Sequence, residues 1–238
     1  NDIFCDAQDK IYLVMSEAKD HFDVIAEDYD FWKKRNQYYY KNLKSFFQEH
    51  VPARKRVFDF GCGTGDILAT LNPEQGVGID VSSRMIERAR NKFKSDTHLY
   101  FTDDRNDSRI LGKQFQYIVC ADVIEHLEYV DEALRFMRTL VTPDGKVVIS
   151  MATALWEPIL IILEKLHMKM PEGPHNRITF RLLRAKAKQA GFYIEEEGTR
   201  ILAPTDAIPG ADFINKHFWA IPLLRSLGLV GYLVLCPK

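Results

Sequence analysis

Cysteine is scarce and irregularly spaced in this sequence. The four cysteines, Cys5, Cys62, Cys120 and Cys236, form no C-x-x-C pair, so the usual zinc motifs are excluded and no disulfide framework is indicated. Charge of one sign is not in excess either: the net charge is -1 at pH 7, which disfavours nucleic acid as a partner. We expect reduced thiols, no bound metal and a cytoplasmic location.

A long uninterrupted apolar run is also missing. The nearest approach is FWAIPLLRSLGLVGYLVL, residues 218–235, but Arg225 lies near its centre and a proline and two glycines interrupt it. A charge at that depth is costly in a membrane, so we predict a short helix, a turn and a buried final strand. No basic region followed by an apolar segment opens the chain, so we expect no secretory signal. Because the chain begins with Asn1 rather than Met, we expect it to be either a trimmed form or a segment cut from a longer chain.

Short apolar runs alternate with helical stretches in the middle of the chain. The runs are residues 56–60, 76–80, 98–102, 116–122 and 146–152. Strands that alternate with helices predict βαβ units and a parallel sheet buried on both faces. The PDG sequence just before the last of these runs predicts a turn that leads into the fifth strand.

The two ends of the chain are less regular. Residues 16–50 have helical periodicity and many aromatic residues, and we predict an N-terminal helical cap over residues 1–50. Residues 51–238 form the predicted core of a single structural domain, with insertions at about 153–174 and 199–228. The predicted fold class is α/β, an open, doubly wound sheet with a helical lid and two late insertions.

A glycine-rich loop, GCGTG, follows the first predicted strand. Gly61, Gly63 and Gly65 allow the backbone to approach a ligand without a Cβ clash. A dinucleotide fingerprint needs a glycine where this chain has Asp66, and the Gly-Lys-Ser/Thr of a mononucleotide loop is missing. Asp59, two residues before the loop, would repel a pyrophosphate and attract a cation. The loop therefore argues against a nicotinamide-dependent oxidoreductase.

Acidic residues also end the next two predicted strands. Asp80 lies about 20 residues beyond the loop, where a carboxylate can accept hydrogen bonds from ribose hydroxyls. Asp103 is placed to accept from an adenine amine, and the backbone around Asp104 to pair with a ring nitrogen. A ligand with an ammonium, a sulfonium, a ribose and an adenine fits this pattern, and we predict S-adenosylmethionine as the cofactor.

The motifs around these residues resemble those of the class I S-adenosylmethionine-dependent methyltransferases, in particular the ubiquinone-biosynthesis-like branch (methyltransferase type 11/12). The similar segments are VFDFGCGTGDILATL, GVGIDVSSRMIERAR, YFTDD, YIVCADVIEHLEYVDEALRFMRTLVTPDGKVVISMA and HNRITFRLLRAKAKQAGF. The resemblance implies a seven-stranded, Rossmann-like sheet in which only the last strand is antiparallel. It covers residues 20–152 best and leaves both insertions unmatched.

The resemblance also implies further cofactor-binding residues. Tyr29 lies in a segment similar to the N-terminal lid of this branch, where it would close over the methionine moiety; core packing is the alternative for it. Cys62 lies inside the glycine loop, and we assign it no nucleophilic role. The remaining predicted cofactor contacts are Val81, Met85, Ala121, Asp122 and Val123.

Two histidines are candidates for the catalytic chemistry. His126 follows the fourth strand, and the resemblance to sugar and quinone O-methyltransferases implies a general base there; packing on the cofactor or capping a helix is the alternative. Glu125 could orient its imidazole or, in metal-assisted relatives, bind a cation, but we predict no metal. His175 and Arg177 are second candidates, which either line the acceptor pocket or order a loop.

The acceptor is predicted from the apolar insertions. A helix over the first insertion would place Leu155, Ile159, Ile162, Leu166 and Met170 on one face, which would complete the core, form a dimer or lie on a membrane surface. We predict methyl transfer to oxygen of a small or lipid-like acceptor, with peripheral membrane contact as a further hypothesis and no prediction of oligomeric state. The alternatives are N- or C-methylation of a small metabolite, and a cofactor-binding regulatory homologue without catalysis.

Overall fold

The computed structural model describes residues 16–171, 178–218, 221, 224 and 226–238 of the chain. Its helices are α1 (Ser16–Ile25), α2 (Tyr29–Arg35), α3 (Gln37–His50), α4 (Asp66–Thr70), α5 (Ser83–Lys92), α6 (Val130–Leu140), α7 (Glu157–Lys165), α8 (Phe180–Gln189) and α9 (Ala211–His217). Its strands are β1 (Arg56–Phe60), β2 (Gln75–Ile79), β3 (Leu99–Thr102), β4 (Phe115–Ala121), β5 (Val141–Ala152), β6 (Phe192–Arg200) and β7 (Val230–Pro237).

The seven strands form one sheet in the order β3-β2-β1-β4-β5-β7-β6. All neighbouring pairs from β3 to β5 are parallel, whereas β7 runs antiparallel to both β5 and β6. The predicted α/β class and the sheet with one antiparallel strand are confirmed. Strand order reverses between β1 and β4, so a crevice opens at their carboxyl ends, where ligands bind in sheets of this kind.

The prediction that β5 begins after a turn at residues 143–145 is wrong. Strand β5 already begins at Val141, which pairs with Phe115, and the next pair joins Tyr117 to Lys146. The PDG sequence therefore lies inside β5, at the shift of register between these two pairs. Turn chemistry is local and does not show that the chain pairs with β4 before the turn.

Among the described residues, three helices precede the sheet, where the sequence showed one long helical region. Helix α3 is the best anchored of them because Leu43, Phe46 and Phe47 are buried. The ring of Phe46 lies 4.9 Å from that of Tyr232 on β7. The cap is thus packed against the far end of the chain.

The helix predicted in the first insertion is shorter than expected. Helix α7 covers Glu157–Lys165, so Met170 lies beyond it and lines the central cavity rather than sharing the predicted face. The other four residues of that face, Leu155, Ile159, Ile162 and Leu166, are 46–62% exposed. They do not complete the core of this chain.

Cys62, Cys120 and Cys236 are buried, and these three of the described residues are free thiols. Within the described ranges, we find no helix whose length and apolar content would let it cross a membrane.

Candidate functional site

A cavity of about 580 Å³ lies at the carboxyl ends of the central strands. Its size is that of a small-molecule site. Helices α1 to α3 cover it from one side, and α7 closes another. The sequence-predicted residues that line it are Tyr29, Asp59, Gly61, Cys62, Gly63, Asp80, Val81, Met85, Asp103, Ala121, Asp122, Val123 and His126.

Two predicted cofactor residues are not among those that line this cavity. Gly65, with φ +82°, lies against the core, since a Cβ there would come within 2.6 Å of the Phe101 ring. Asp104 is exposed and orders its own loop: its N–H donates to Thr102 Oγ1 at 3.1 Å, and its Oδ1 accepts from the Asn106 N–H at 2.8 Å. His175 and Arg177 lie outside the described residues.

The glycine loop lies directly beneath the lid. Gly63 has φ +51°, and a Cβ at this position would lie 3.3 Å from the ring of Tyr29. A residue with a side chain would be strained at this point by the positive φ and would crowd the Tyr29 ring. Burial raises the pKa of Tyr29 well above its usual value, so its hydroxyl stays protonated.

Asp59 is the most unusual charge in the cavity. It is 1% exposed, and neither carboxylate oxygen has a hydrogen-bond partner among the described residues. Burial raises the pKa of Asp59 to about 7; Lys33 opposes this shift, Asp80 adds to it, and the nearby backbone N–H of Leu68, too poorly aligned to count as a hydrogen bond, opposes it weakly. A buried carboxylate without a partner is costly, and a cationic ligand would relieve that cost.

Asp80 is held at the base of the glycine loop. Its Oδ2 accepts a hydrogen bond from the N–H of Gly63 at 2.8 Å, and its Oδ1 accepts one from the N–H of Ser82 at 3.0 Å. Burial raises the pKa of Asp80, and these two backbone donors oppose the shift. The structure therefore brings Asp80, Asp59 and Asp103 to the walls of one cavity.

Cys62 has no chemistry of its own in this cavity. Burial, together with the charges of Asp80 and Asp59, raises its pKa well above the usual range. A nucleophilic cysteine needs a lowered pKa. The sulfur of Cys62 instead packs so closely on Gly78 that a Cβ added at this glycine would lie 2.8 Å from it.

His126 ends a 3₁₀ turn, Ile124–His126, that follows β4. Its ring contacts Phe22 of α1 edge-on, with 5.5 Å between ring centroids. Glu125 beside it is buried, and its Oε1 accepts a hydrogen bond from the N–H of Ala152 at 3.3 Å. In the described part of the chain, no group of three or more His, Cys, Asp or Glu side chains is arranged to hold a metal ion.

Sequence patterns missed several side chains at this site. The hydroxyl of Tyr39 donates to Asp122 Oδ2 at 2.6 Å, and Ser150 Oγ donates to Asp122 Oδ1 at 2.7 Å. Lys33 also lines the cavity, with its Nζ 4.6 Å from the centre of the Tyr29 ring. In the sequence, only the many aromatic residues in the range 16–50 indicated this region of the lid.

The half of the cavity beside β5 is lined mainly by apolar side chains, with the charged Lys169 as an exception. Trp156, Leu160 and Leu163 face it from α7, and the indole N–H of Trp156 donates to the carbonyl of Leu227 at 2.8 Å. The other apolar residues that line this half are Met168, Met170 and Leu229. One cavity thus joins an acid-lined half with an apolar half.

A family model described as a methyltransferase domain matches residues 31–197, and the chain therefore belongs to this family. The predictions of class, enzyme and cofactor are confirmed: the chain is a class I S-adenosylmethionine-dependent methyltransferase.

Individual relatives are distant. The ubiquinone biosynthesis O-methyltransferase of Coxiella burnetii (strain RSA 331 / Henzerling II) is 25% identical over 168 residues, which are 67% of this chain and 70% of that protein. The magnesium protoporphyrin IX methyltransferase of Synechocystis PCC 6803 superposes with a TM-score of 0.58 at 18% identity, over 93% of this chain and 98% of that one. A possible histamine N-methyltransferase of Thermotoga maritima gives 0.65 at 14% identity, over 91% and 98%. These two structural likenesses establish the fold.

The cavity fits S-adenosylmethionine on two observations. Asp59 is a buried carboxylate without a hydrogen-bond partner among the described residues, which suits a positively charged ligand. Gly63 leaves room that a side chain would fill at the lid. Asp59, Gly63, Asp80 and Asp103 would hold the cofactor.

Proposed function

We propose that this enzyme transfers the methyl group to an oxygen atom of a small, lipophilic acceptor. The observation that carries the proposal is the continuity of the acid-lined half with the apolar half formed by Trp156, Leu160 and Leu163. Apolar walls with few polar groups favour a lipophilic ligand. The name of the Coxiella burnetii relative, an O-methyltransferase, supports oxygen as the methylated atom.

Positioning accounts for much of the catalysis in this proposal. When bound, S-adenosylmethionine supplies an electrophilic methyl group on a positively charged sulfur. The apolar half holds the acceptor and excludes water, so that its hydroxyl faces the methyl group. His126 accepts the hydroxyl proton as the oxygen attacks. Glu125, whose carboxylate is fixed by the N–H of Ala152, supports the turn that carries His126.

The acceptor is to be identified by a screen with methyl-labelled S-adenosylmethionine. The compounds include hydroxyl-bearing lipids, quinols and membrane extracts, together with amines of similar size. We expect O-methylated lipophilic products, with the methylated atom assigned by mass spectrometry and NMR. N- or C-methylated products alone would overturn the proposal, and no transfer at all would favour a cofactor-binding protein without catalysis.

His126→Asn tests the proton acceptor. We expect turnover to fall by about 10²-fold or more, the usual contribution of a general base, with S-adenosylmethionine affinity changed by less than about twofold. Steady-state kinetics and calorimetry measure the two quantities. His98→Asn is the matched control because its Nδ1 lies 3.0 Å from the carbonyl of Glu74, outside the cavity. Normal turnover in the His126 variant would retire this role.

We further propose that a lipid-like acceptor reaches the cavity at a membrane surface. The inner face of α7 lines the apolar half, while Ile159 and Ile162 on its outer face are exposed. One helix would therefore contact both the bilayer and the acceptor, as interfacial amphipathic helices do.

A further inference from the structure

We propose that Phe22 of α1 is a positioning residue for the imidazole of His126, and that Asp23 beside it fastens α1 in place. The inference rests on the proposed function, because it is there that His126 accepts the proton of the acceptor. It gives the lid a part in the chemistry, since α1 then holds the proton-accepting side chain as well as covering the cavity.

Phe22 and His126 meet in the cavity, where both side chains line the wall. Their ring centroids are 5.5 Å apart and their planes lie at 87° to each other, the edge-on arrangement that aromatic pairs favour. Rotation of an imidazole about the bond to its ring has broad energy minima, so rotamer preference alone does not fix its direction. The ring of Phe22 restricts this rotation and keeps the imidazole of His126 in one orientation.

Asp23 fastens α1 to the start of α5. Its Oδ1 accepts hydrogen bonds from Ser82 Oγ at 2.5 Å and from the N–H of Arg84 at 3.4 Å. Its Oδ2 accepts one from Lys19 Nζ at 2.6 Å. Burial alone would raise the pKa of Asp23, but the hydrogen bonds from Lys19 and Ser82 outweigh it and lower the pKa. The carboxylate is therefore ionised at neutral pH, and it lies at the N-terminal end of a helix, where an anion is stabilised.

Helix α1 is held at three places around the cavity. Phe22 contacts the segment that follows β4, and Asp23 contacts the segment that follows β2. His21 places its Nε2 3.1 Å from the carbonyl oxygen of Pro171, beyond the end of α7. Neighbouring residues of a helix point in different directions, so one turn of α1 reaches all three segments. The attachment through Asp23 therefore limits how far Phe22 can move away from His126.

Phe22→Ala removes the ring and leaves the helix. At saturating S-adenosylmethionine, with the acceptor that gives the highest turnover in the screen, we expect kcat to fall about tenfold or more, because a misplaced general base no longer reaches its proton. The KM of the acceptor and the affinity for S-adenosylhomocysteine, measured by calorimetry, should change by less than about twofold. Phe31→Ala is the matched control: it removes a ring that is 60% exposed on α2 and should leave all three quantities unchanged.

A double-variant cycle with His126→Asn tests whether Phe22 acts through His126. Once the imidazole is gone, loss of the ring has nothing left to misplace, so the double variant should be no slower than His126→Asn alone. A ring that only filled space or kept water out would slow both backgrounds. Effects that multiply would therefore overturn the positioning role.

Asp23→Ala tests the attachment of α1. We expect kcat to fall about as far as in Phe22→Ala, the double variant of the two to be no worse than either alone, and amide hydrogen exchange in α1 to become faster. Asp20→Ala removes an exposed carboxylate from the same helix and is the control. Unchanged kcat in Asp23→Ala would overturn the role of Asp23.

The His126→Asn variant separates failure of this inference from failure of the proposed function. If it turns over normally, His126 is not the proton acceptor and both are wrong. If it is slow, as expected, but Phe22→Ala turns over normally or loses affinity for S-adenosylhomocysteine by about tenfold or more, the proposed function stands and this inference alone is overturned.

Discussion

Asp59 is a buried carboxylate next to the glycine loop, and its ionisation is set by its surroundings. Its pKa of about 7 results from burial, with a further rise from Asp80 and an opposing effect of Lys33. A cation placed beside it favours the ionised form. The cofactor and the proton therefore compete for this side chain near neutral pH.

We expect S-adenosylmethionine to bind more tightly as pH rises from 6 to 8, and binding near pH 7 to release protons. Calorimetry in buffers of different ionisation enthalpy measures both effects. Asp59→Asn should flatten the dependence and abolish most of the proton release, leaving the part that belongs to Asp80, whose pKa is also raised by burial. An affinity in the parent enzyme that is constant over this range would contradict the assignment.

The raised pKa of Asp59 also makes the stability of the cofactor-free protein depend on pH. The folded protein binds a proton at Asp59 more tightly than the unfolded chain does, because the pKa is about 7 rather than 3.8. The contribution of this group is therefore most favourable below pH 4 and is lost as pH rises toward 7. Added S-adenosylmethionine should remove this trend.

At the level of residues, the sequence predicted the acids better than the hydroxyls. Asp59, Asp80 and Asp103 could be placed because the carboxyl ends of parallel strands meet at one edge. The bonds of Tyr39 and Ser150 to Asp122 join positions 83 and 28 residues apart. No local periodicity encodes such a distance, and so these two side chains were missed.

At the level of elements, one carboxylate ties the lid to the glycine loop. Asp66 at the start of α4 is paired with Lys33 of α2 at 3.1 Å and with Lys92 of α5 at 2.9 Å, and Lys44 of α3 lies 3.9 Å away. Burial alone would raise the pKa of Asp66, but Lys33 and Lys92 outweigh it and lower the pKa to about 2. From the sequence, Asp66 was notable only because it occupies the position of the third glycine in a dinucleotide fingerprint.

Asp66→Asn should lower the free energy of unfolding, because it removes the carboxylate that joins the lid to the glycine loop. The pKa is lowered from 3.8 to about 2, so the ionised group stabilises the fold by about 2 kcal/mol above pH 4, and this contribution is lost as pH falls toward 2. Urea unfolding of the variant at pH 7 should show a loss of that size and a weaker pH dependence between 4 and 2. Glu87→Gln, an exposed change on α5, is the control and should show neither.

The order of elements was predictable because most strands of the core are short apolar runs followed by a helical pattern. Strand β3 is an exception, since β4 follows it without an intervening helix. The boundaries of the elements were less predictable. Strand β5 pairs from Val141, ahead of a sequence that has the composition of a turn. Helix α7 ends at Lys165, although the apolar spacing continues to Met170. Tertiary contacts override local preference at both places.

At the scale of the whole molecule, the outer surface of α7 is an apolar surface that the core leaves uncovered. We expect the protein to float with neutral phosphatidylcholine vesicles, and Ile159→Glu with Ile162→Glu to abolish flotation, because two charges oppose burial among lipid chains. Leu111→Glu changes a similarly exposed residue elsewhere, 51% exposed, and should float normally. If the parent protein stays in the heavy fraction, or if the α7 variant floats as well as the control, membrane contact through α7 is wrong.

The packing of α3 against β7 also affects how the protein is made. The face of α3 that carries Leu43, Phe46 and Phe47 is translated early, yet one of its contacts, Tyr232, leaves the ribosome nearly 190 residues later. Until then this apolar face of α3 lacks part of the surface that it packs against, and chaperones can bind it. Nascent chains halted before β7 should therefore be captured by a holdase and released once the last strand emerges.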